Sequence, residues 1–398
     1  MELEDEKLFS KQLRQFGDLE RKYFNEVLDR GWQTGLFNDE GMVARFQREF
    51  AAYVGAKRAL ARANGMLGLA EAVTASGAKA GNEIICDPVV HFGALASLYW
   101  NCIPRFCDID PDTYLMDTVS LKANITENTK AVLVTHLWGL PANMDAIRKI
   151  CREHKLFLIE DCAHAVGARW QGHHVGTFGD IGMFSFQEFK QLSTGDGCMN
   201  VVNDSELADK LENVWAFSGE SPLRFTLNWR MNEVTAAMGL AQLSRINSVL
   251  DYYSRTLNIL NDAIKGCEWL KSRKVAPEAT QSGYWFACKW DGDKHGLDYN
   301  RFKQLNDELN IGLRFGFNNV APYQYEFFRK GDIFGNGVPF HTEPFTKLSK
   351  YKYKDGLCPV VEDVMPRLVT ISLIFLTHEK AKRQVENLRK AIEIMNKG

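Results

Sequence analysis

Ile159-Glu160-Asp161-Cys162-Ala163-His164-Ala165-Val166-Gly167-Ala168, followed by Gly179 to Lys190 (GDIGMFSFQEFK) and Thr194-Gly195-Asp196-Gly197, is the most informative part of the chain. Two short apolar runs, Leu156–Glu160 and Gly182–Phe186, read as strands, each followed by polar residues. In a parallel α/β sheet that carboxyl end is where ligands bind. Asp161 follows the first run and Lys190 trails the second by a few residues. They lie 29 residues apart, enough for one strand–connection–strand excursion that returns both to one sheet edge. A lysine set among Phe184, Phe186 and Phe189 has its charged form disfavoured and its amine made more nucleophilic. Lysine amines form Schiff bases with pyridoxal 5'-phosphate, and a carboxylate partners the pyridine nitrogen of that cofactor. Taken singly, Asp161 reads more readily as a helix cap and Lys190 as a solvated loop lysine; only the pair at one edge raises the cofactor reading to a hypothesis.

Outward from this stretch, the pattern from about Gly55 to Ile246 alternates apolar runs with amphipathic segments. Glu83–Cys86, Arg105–Asp108, Ala131–His136 and Met199–Val202 complete the set of predicted strands. Leu67–Ser76, Met144–His154 and Glu206–Val214 are predicted helices, as is Phe46–Val54 with its stop at Gly55. Buried strands alternating with helices predict an α/β fold: a mostly parallel sheet between helices in a large domain over 1–250. Met231 to Ile264 predicts one or two long helices. The strand-like run Tyr284–Trp290 and a final helix, His378–Met395, predict a smaller α+β domain over 251–398.

The chain's 398 residues, 45% apolar and 25% charged, make a normal globular balance. A net charge of -2 without a basic stripe argues against nucleic acid or an anionic membrane surface as the main partner. No apolar run approaches the roughly 20 residues a membrane span needs. Met1 to Phe9 is acidic with no apolar core, and nine scattered Cys form no CxxC pair, so the expectation is a reduced, cytoplasmic chain. His173-His174 lacks a further ligand at metal spacing and reads as a solvated turn, so no metal is expected. The glycines of 176–182 lack the GxGxxG pattern of dinucleotide binding. Cys162 reads as packing. Phe315-Gly316-Phe317 and Tyr323–Tyr325 read equally as substrate mouth or core.

The chain resembles the DegT/DnrJ/EryC1/StrS family of sugar aminotransferases, pyridoxal-phosphate enzymes of fold type I. Five patches carry the resemblance: Phe46–Ala56 (FQREFAAYVGA); Asn64-Gly65-Met66; Thr135-His136-Leu137-Trp138-Gly139 with Asn143-Met144-Asp145; the cofactor patches Ile159–Ala168 and Phe184–Lys190; and Asn228 to Glu233 (NWRMNE). It implies a seven-stranded-type sheet, a homodimer and a list of roles. Lys190 would join the cofactor covalently. Asp161 would pair with its ring nitrogen, and His164 would lie near its 3-hydroxyl. Ser185 and the backbone N–H groups of Gly65 and Met66 would hold its phosphate. Asn228 would reach the phosphate in the partner subunit. His91, or Phe92 one residue on, would stack on the ring.

Met66 replaces the family's Thr, and Gly195-Asp196-Gly197-Cys198 replaces Gly-Glu-Gly-Gly; both touch fine geometry rather than reaction type. The implied activity is ping-pong transfer of an amino group from Glu or Gln to a keto-sugar or keto-cyclitol. The segment Ala163–Gly176 is most similar to the cyclitol subgroup. Two alternatives stand beside it: a sugar dehydratase or aromatising enzyme of the same family, and a non-catalytic sensor of the same fold. Lysine at 190, where the dehydratase branch carries histidine, favours transamination.

Overall fold

The structure, a computed structural model, describes residues 17–31, 40–213, 228–318, 320–332, 337, 341, 343, 352–374 and 376–397. Its main sheet has seven strands: β1 Arg58–Arg62, β2 Glu83–Cys86, β3 Ile103–Phe106, β4 Thr129–Thr135, β5 Phe157–Asp161, β8 Ile181–Ser185 and β9 Cys198–Val202, with the two-residue strands β6 Arg169–Trp170 and β7 His173–His174 in a separate ribbon. The spatial order is β1-β9-β8-β5-β4-β2-β3. All neighbours run parallel except β9, which is antiparallel to both β1 and β8. This is the mostly parallel seven-stranded sheet expected.

The strands alternate faces with the two-residue period of a pleat. Ala59 and Ala61 of β1, with Phe184 and Phe186, join one apolar core with the helices Met42–Val54, Glu233–Leu243, Ile246–Ala263 and His378–Lys397. Leu60 and Met183 join the other, with the helices Gly65–Ala75 and Met144–His154. The helix predicted to stop at Gly55 does so: Gly55 takes φ 77°, a left-handed turn that only glycine adopts without strain. That helix starts four residues earlier than expected, because the buried carboxylate of Glu233 accepts the N–H groups of Met42 and Val43. The pair of helices predicted over Met231–Ile264 breaks at Ser244-Arg245.

A four-stranded sheet follows from β10 Leu270–Ser272, β12 Trp285–Trp290, β13 Arg314–Phe315 and β14 Leu368–Ser372, in the order β10-β12-β14-β13; β11 Ala279–Thr280 extends the ribbon of β6 and β7 instead. All nine cysteines are free thiols, eight of them buried. Among the described residues no helix is long and apolar enough to cross a membrane.

The helix Gly65–Ala75 lies so close to the sheet that a Cβ at Gly68 would stand 2.6 Å from Cys198 Sγ, 2.9 Å from Met183 Cγ and 3.0 Å from Asn200 Oδ1. Cys198, where the family pattern has glycine, fills the space that Gly68 leaves open. Gly68→Ala is therefore expected to lower stability by about 1–3 kcal/mol through overpacking, read as a fall in urea midpoint, and Cys198→Ala in the same chain is expected to restore part of it.

Candidate active site

The parallel strands deliver their polar ends to one edge, as the alternation of strand and helix demands. Asp161 closes β5 and Ser185 closes β8. Lys190 sits in a turn after β8, its N–H bonded to the carbonyl of Gln187 at 2.8 Å. Asn64 caps the helix Gly65–Ala75: its side chain takes the N–H of Leu67 at 3.0 Å and its carbonyl that of Gly68 at 3.1 Å. The first N–H groups of a helix have no acceptor within it, so those of Gly65 and Met66 remain for a ligand. A cavity of about 380 Å³ is lined by Gly65, Met66, Asp161, Ser185 and Lys190, together with Phe92, Tyr99 and Asp196. A Cβ at Gly65 would stand 3.2 Å from Ser185 Oγ, tighter than ordinary contact, so glycine lets this backbone approach the serine without displacing it. A lysine, a buried carboxylate and a hydroxyl beside a helix N-terminus form the donor set that an aldehyde, a ring nitrogen and a phosphate need. The residues present fit pyridoxal phosphate.

Electrostatics sharpen the pair. Burial lowers the Lys190 amine to about 8, against the pull of the Asp161 charge. Burial raises Asp161, opposed by the N–H of Ala163 at 3.0 Å and by the positive charge of Lys190. Each group thus holds the other closer to its charged form than the interior alone would allow.

The other expected residues lie around this centre. His164 is buried behind Lys190, its Nδ1 accepting the N–H of Trp138 at 3.4 Å. Burial, with the charges of Lys190 and Arg273, holds it well below the usual histidine range, so it is neutral. Trp138 takes φ 55° and ψ 30°, a left-handed conformation unusual for a bulky residue, inside the turn Leu137–Gly139. Phe92 stands on the cavity wall; His91 caps the helix Phe92–Leu98 behind it, ring to ring at 4.4 Å. Asn228 is exposed, on a segment that runs beside the start of helix Gly65–Ala75, where Ala63 N–H bonds the carbonyl of Trp229 at 2.6 Å.

Sequence reasoning missed Tyr284, whose phenol oxygen accepts from Lys190 Nζ at 3.4 Å. It also missed Asp87, buried at the end of β2 and raised to about 6 by burial, and Gln191, which ties the lysine turn to residues 282–283. Tyr284 was legible only as the start of a strand.

His136, Glu160 and Cys162 meet in the interior at metal-binding separations. The backbone N–H of Ala142 reaches His136 Nδ1 at 3.1 Å, which makes that nitrogen the acceptor and Nε2 the protonated one. Nε2–H then donates to Glu160 at 3.0 Å, and Glu160 also takes the N–H groups of Gly176, Phe178 and Gly179 at 2.7, 2.8 and 2.6 Å. The lone pairs of His136 Nδ1 and of the Glu160 carboxylate are committed to these bonds, which fasten the 176–179 loop to β5.

The model of the DegT/DnrJ/EryC1/StrS aminotransferase family matches residues 15–333. The chain belongs to that family. Among relatives of this aminotransferase, the GDP-perosamine synthase of Caulobacter vibrioides is 36% identical over 303 residues, 74% of this chain and 80% of that one. A putative L-glutamine:3-amino-2,3-dideoxy-scyllo-inosose aminotransferase of Micromonospora echinospora is 37% identical over 292 residues, 71% of this chain and 69% of that one. The crystal structure of 3-amino-5-hydroxybenzoic acid synthase superposes with a TM-score of 0.80 at 25% identity, covering 96% of this chain and 98% of that one. The fold described above is that of the pyridoxal-phosphate aminotransferases.

Proposed function

We propose that this aminotransferase moves an amino group from glutamate or glutamine to a keto-sugar or keto-cyclitol, with Lys190 as the cofactor lysine. The observation that carries the reading is the convergence of Lys190, Asp161, Ser185 and the N-terminus of helix Gly65–Ala75 on one cavity. Bound pyridoxal phosphate supplies an electron sink for the bond cleaved at the donor's α-carbon. Asp161 would keep a proton on the ring nitrogen. Lys190, once displaced by the donor amine, would take the α-proton as general base and return it as general acid; an amine lowered to about 8 suits both tasks near neutral pH. Ser185 and the N–H groups of Gly65 and Met66 would hold the phosphate. Neutral His164 would lie near the cofactor's 3-hydroxyl, and Phe92 or His91 against its ring. Asn228 would serve the neighbouring site of a homodimer, a role its exposure beside that helix supports. The name of the Micromonospora relative, which specifies glutamine as donor, supports the donor class.

The test is the visible spectrum of the purified protein, recorded again after adding glutamate or glutamine. A yellow band that one donor bleaches, with formation of the matching keto acid, is expected. A colourless protein that takes up no added cofactor, or a band that neither donor changes, would overturn the reading.

A further inference from the structure

Tyr284 comes from the far part of the chain, immediately before β12, and touches the reacting atom. Lys190 Nζ donates to its phenol oxygen at 3.4 Å and lies 5.1 Å from its ring centroid. The ring stacks on the imidazole of His164, 4.5 Å between centroids and 17° between planes. Gln191, next to the lysine, donates through Nε2 to the carbonyl of His164 at 2.9 Å, to Ser282 Oγ at 3.2 Å and to the carbonyl of Gly283 at 3.2 Å. The tyrosine is therefore held by the strand it precedes, by the histidine beneath it and by a tether that ties its own segment to the lysine turn.

A lysine amine on a flexible four-carbon stem has no orientation of its own. When neutral it carries two N–H bonds and one lone pair, and only the lone pair attacks an aldehyde or takes a proton. An acceptor fixed beside the amine engages one N–H and so aims the lone pair. We propose that Tyr284 is a catalytic residue of this site, whose phenol oxygen holds the released Lys190 amine and aims its lone pair into the cavity. This rests on the reading of Lys190 as the cofactor lysine. A phenol suits the task because it accepts without carrying charge near neutral pH. The ionisable groups around the amine are Asp161 at the end of β5, Asp196 on the cavity wall, His164 under the tyrosine, and Arg273, whose charge is felt at His164. Removing the phenol oxygen takes away one acceptor of the ammonium form and leaves those groups in place.

The experiment uses the full chain freed of cofactor, as wild type, Tyr284→Phe, Tyr284→Leu and Lys190→Ala. Each is mixed with pyridoxal 5'-phosphate across the neutral to alkaline range. Amine and aldehyde join with loss of water, borohydride reduces the C=N bond to a stable secondary amine, and mass spectrometry locates it. Wild type is expected to be labelled at Lys190 with a midpoint near 8. Tyr284→Phe is expected to be labelled at the same lysine, roughly three- to tenfold more slowly, the worth of one hydrogen bond, and with its midpoint moved downward. Tyr284→Leu should match Tyr284→Phe. Phenylalanine at the wild-type rate and midpoint, whether or not leucine is slower, overturns the role of the oxygen. Wild type with no label at Lys190 overturns the reading of the lysine instead.

Discussion

Lys190→Ala is expected to abolish turnover, a loss of at least roughly 10⁴-fold, since under the proposed function one amine would serve as covalent anchor and as proton carrier. The purified variant is expected to be colourless. Aminotransferase turnover of wild-type magnitude would remove Lys190 from the chemistry. A companion variant separates this from folding. Lys190→Met keeps the length of the stem and removes the charge. In the folded chain the amine is lowered to about 8 by burial, below its value in the unfolded chain. Between those two values the unfolded state binds more protons, so wild-type stability rises with pH across that window. The cost of enclosing the ammonium is fully present below about pH 8. Cofactor-free Lys190→Met is therefore expected to melt higher than wild type at neutral pH, with an advantage that shrinks as pH climbs through the amine's titration. An advantage that grew instead would contradict the burial of a charged amine.

Glu160→Ala carries the largest expected effect on stability, a loss of about 3–5 kcal/mol of the kind seen when a buried charged pair or network loses one partner. The carboxylate is fully enclosed and takes four hydrogen bonds: from His136 and from the N–H groups of Gly176, Phe178 and Gly179. Alanine would strand two buried donors, on His136 and Gly176, and two half-buried ones, on Phe178 and Gly179, each buried donor costing on the order of 1–3 kcal/mol before relaxation. Chemical denaturation of the cofactor-free chain measures the loss. A change below about 1 kcal/mol would mean that water replaces the carboxylate. Because Asp161 is the next residue, the same variant is expected to weaken cofactor retention.

The groups legible in the sequence are those whose chemistry is local. Asp161, Ser185 and Lys190 stand at or just past strand ends, and a parallel sheet sends those ends to one edge. β1 was not legible as a strand: Arg58-Ala-Leu-Ala-Arg62 carries a charge at each end. The fold buries the second charge against Glu71, with Nη2 2.7 Å from the carboxylate, and no local pattern announces a partner on the next helix. Tyr284 and Gln191 belong to contacts that span 94 and 91 residues, and their side chains have ordinary structural uses. The sequence does not show where the helix after His91 begins: it starts at Phe92, whose ring lines the cavity, with His91 as its N-cap residue.

The tether from Gln191 to residues 282–283 constrains how such a chain can diverge. Chimeras that graft the C-terminal half of one relative onto the N-terminal half of another exchange whatever that half recognises. They also exchange Tyr284, the partner proposed for the Lys190 amine. Grafts that preserve Ser282-Gly283-Tyr284 should inherit a working amine, and grafts that shift this tripeptide by a residue should fold and stay slow.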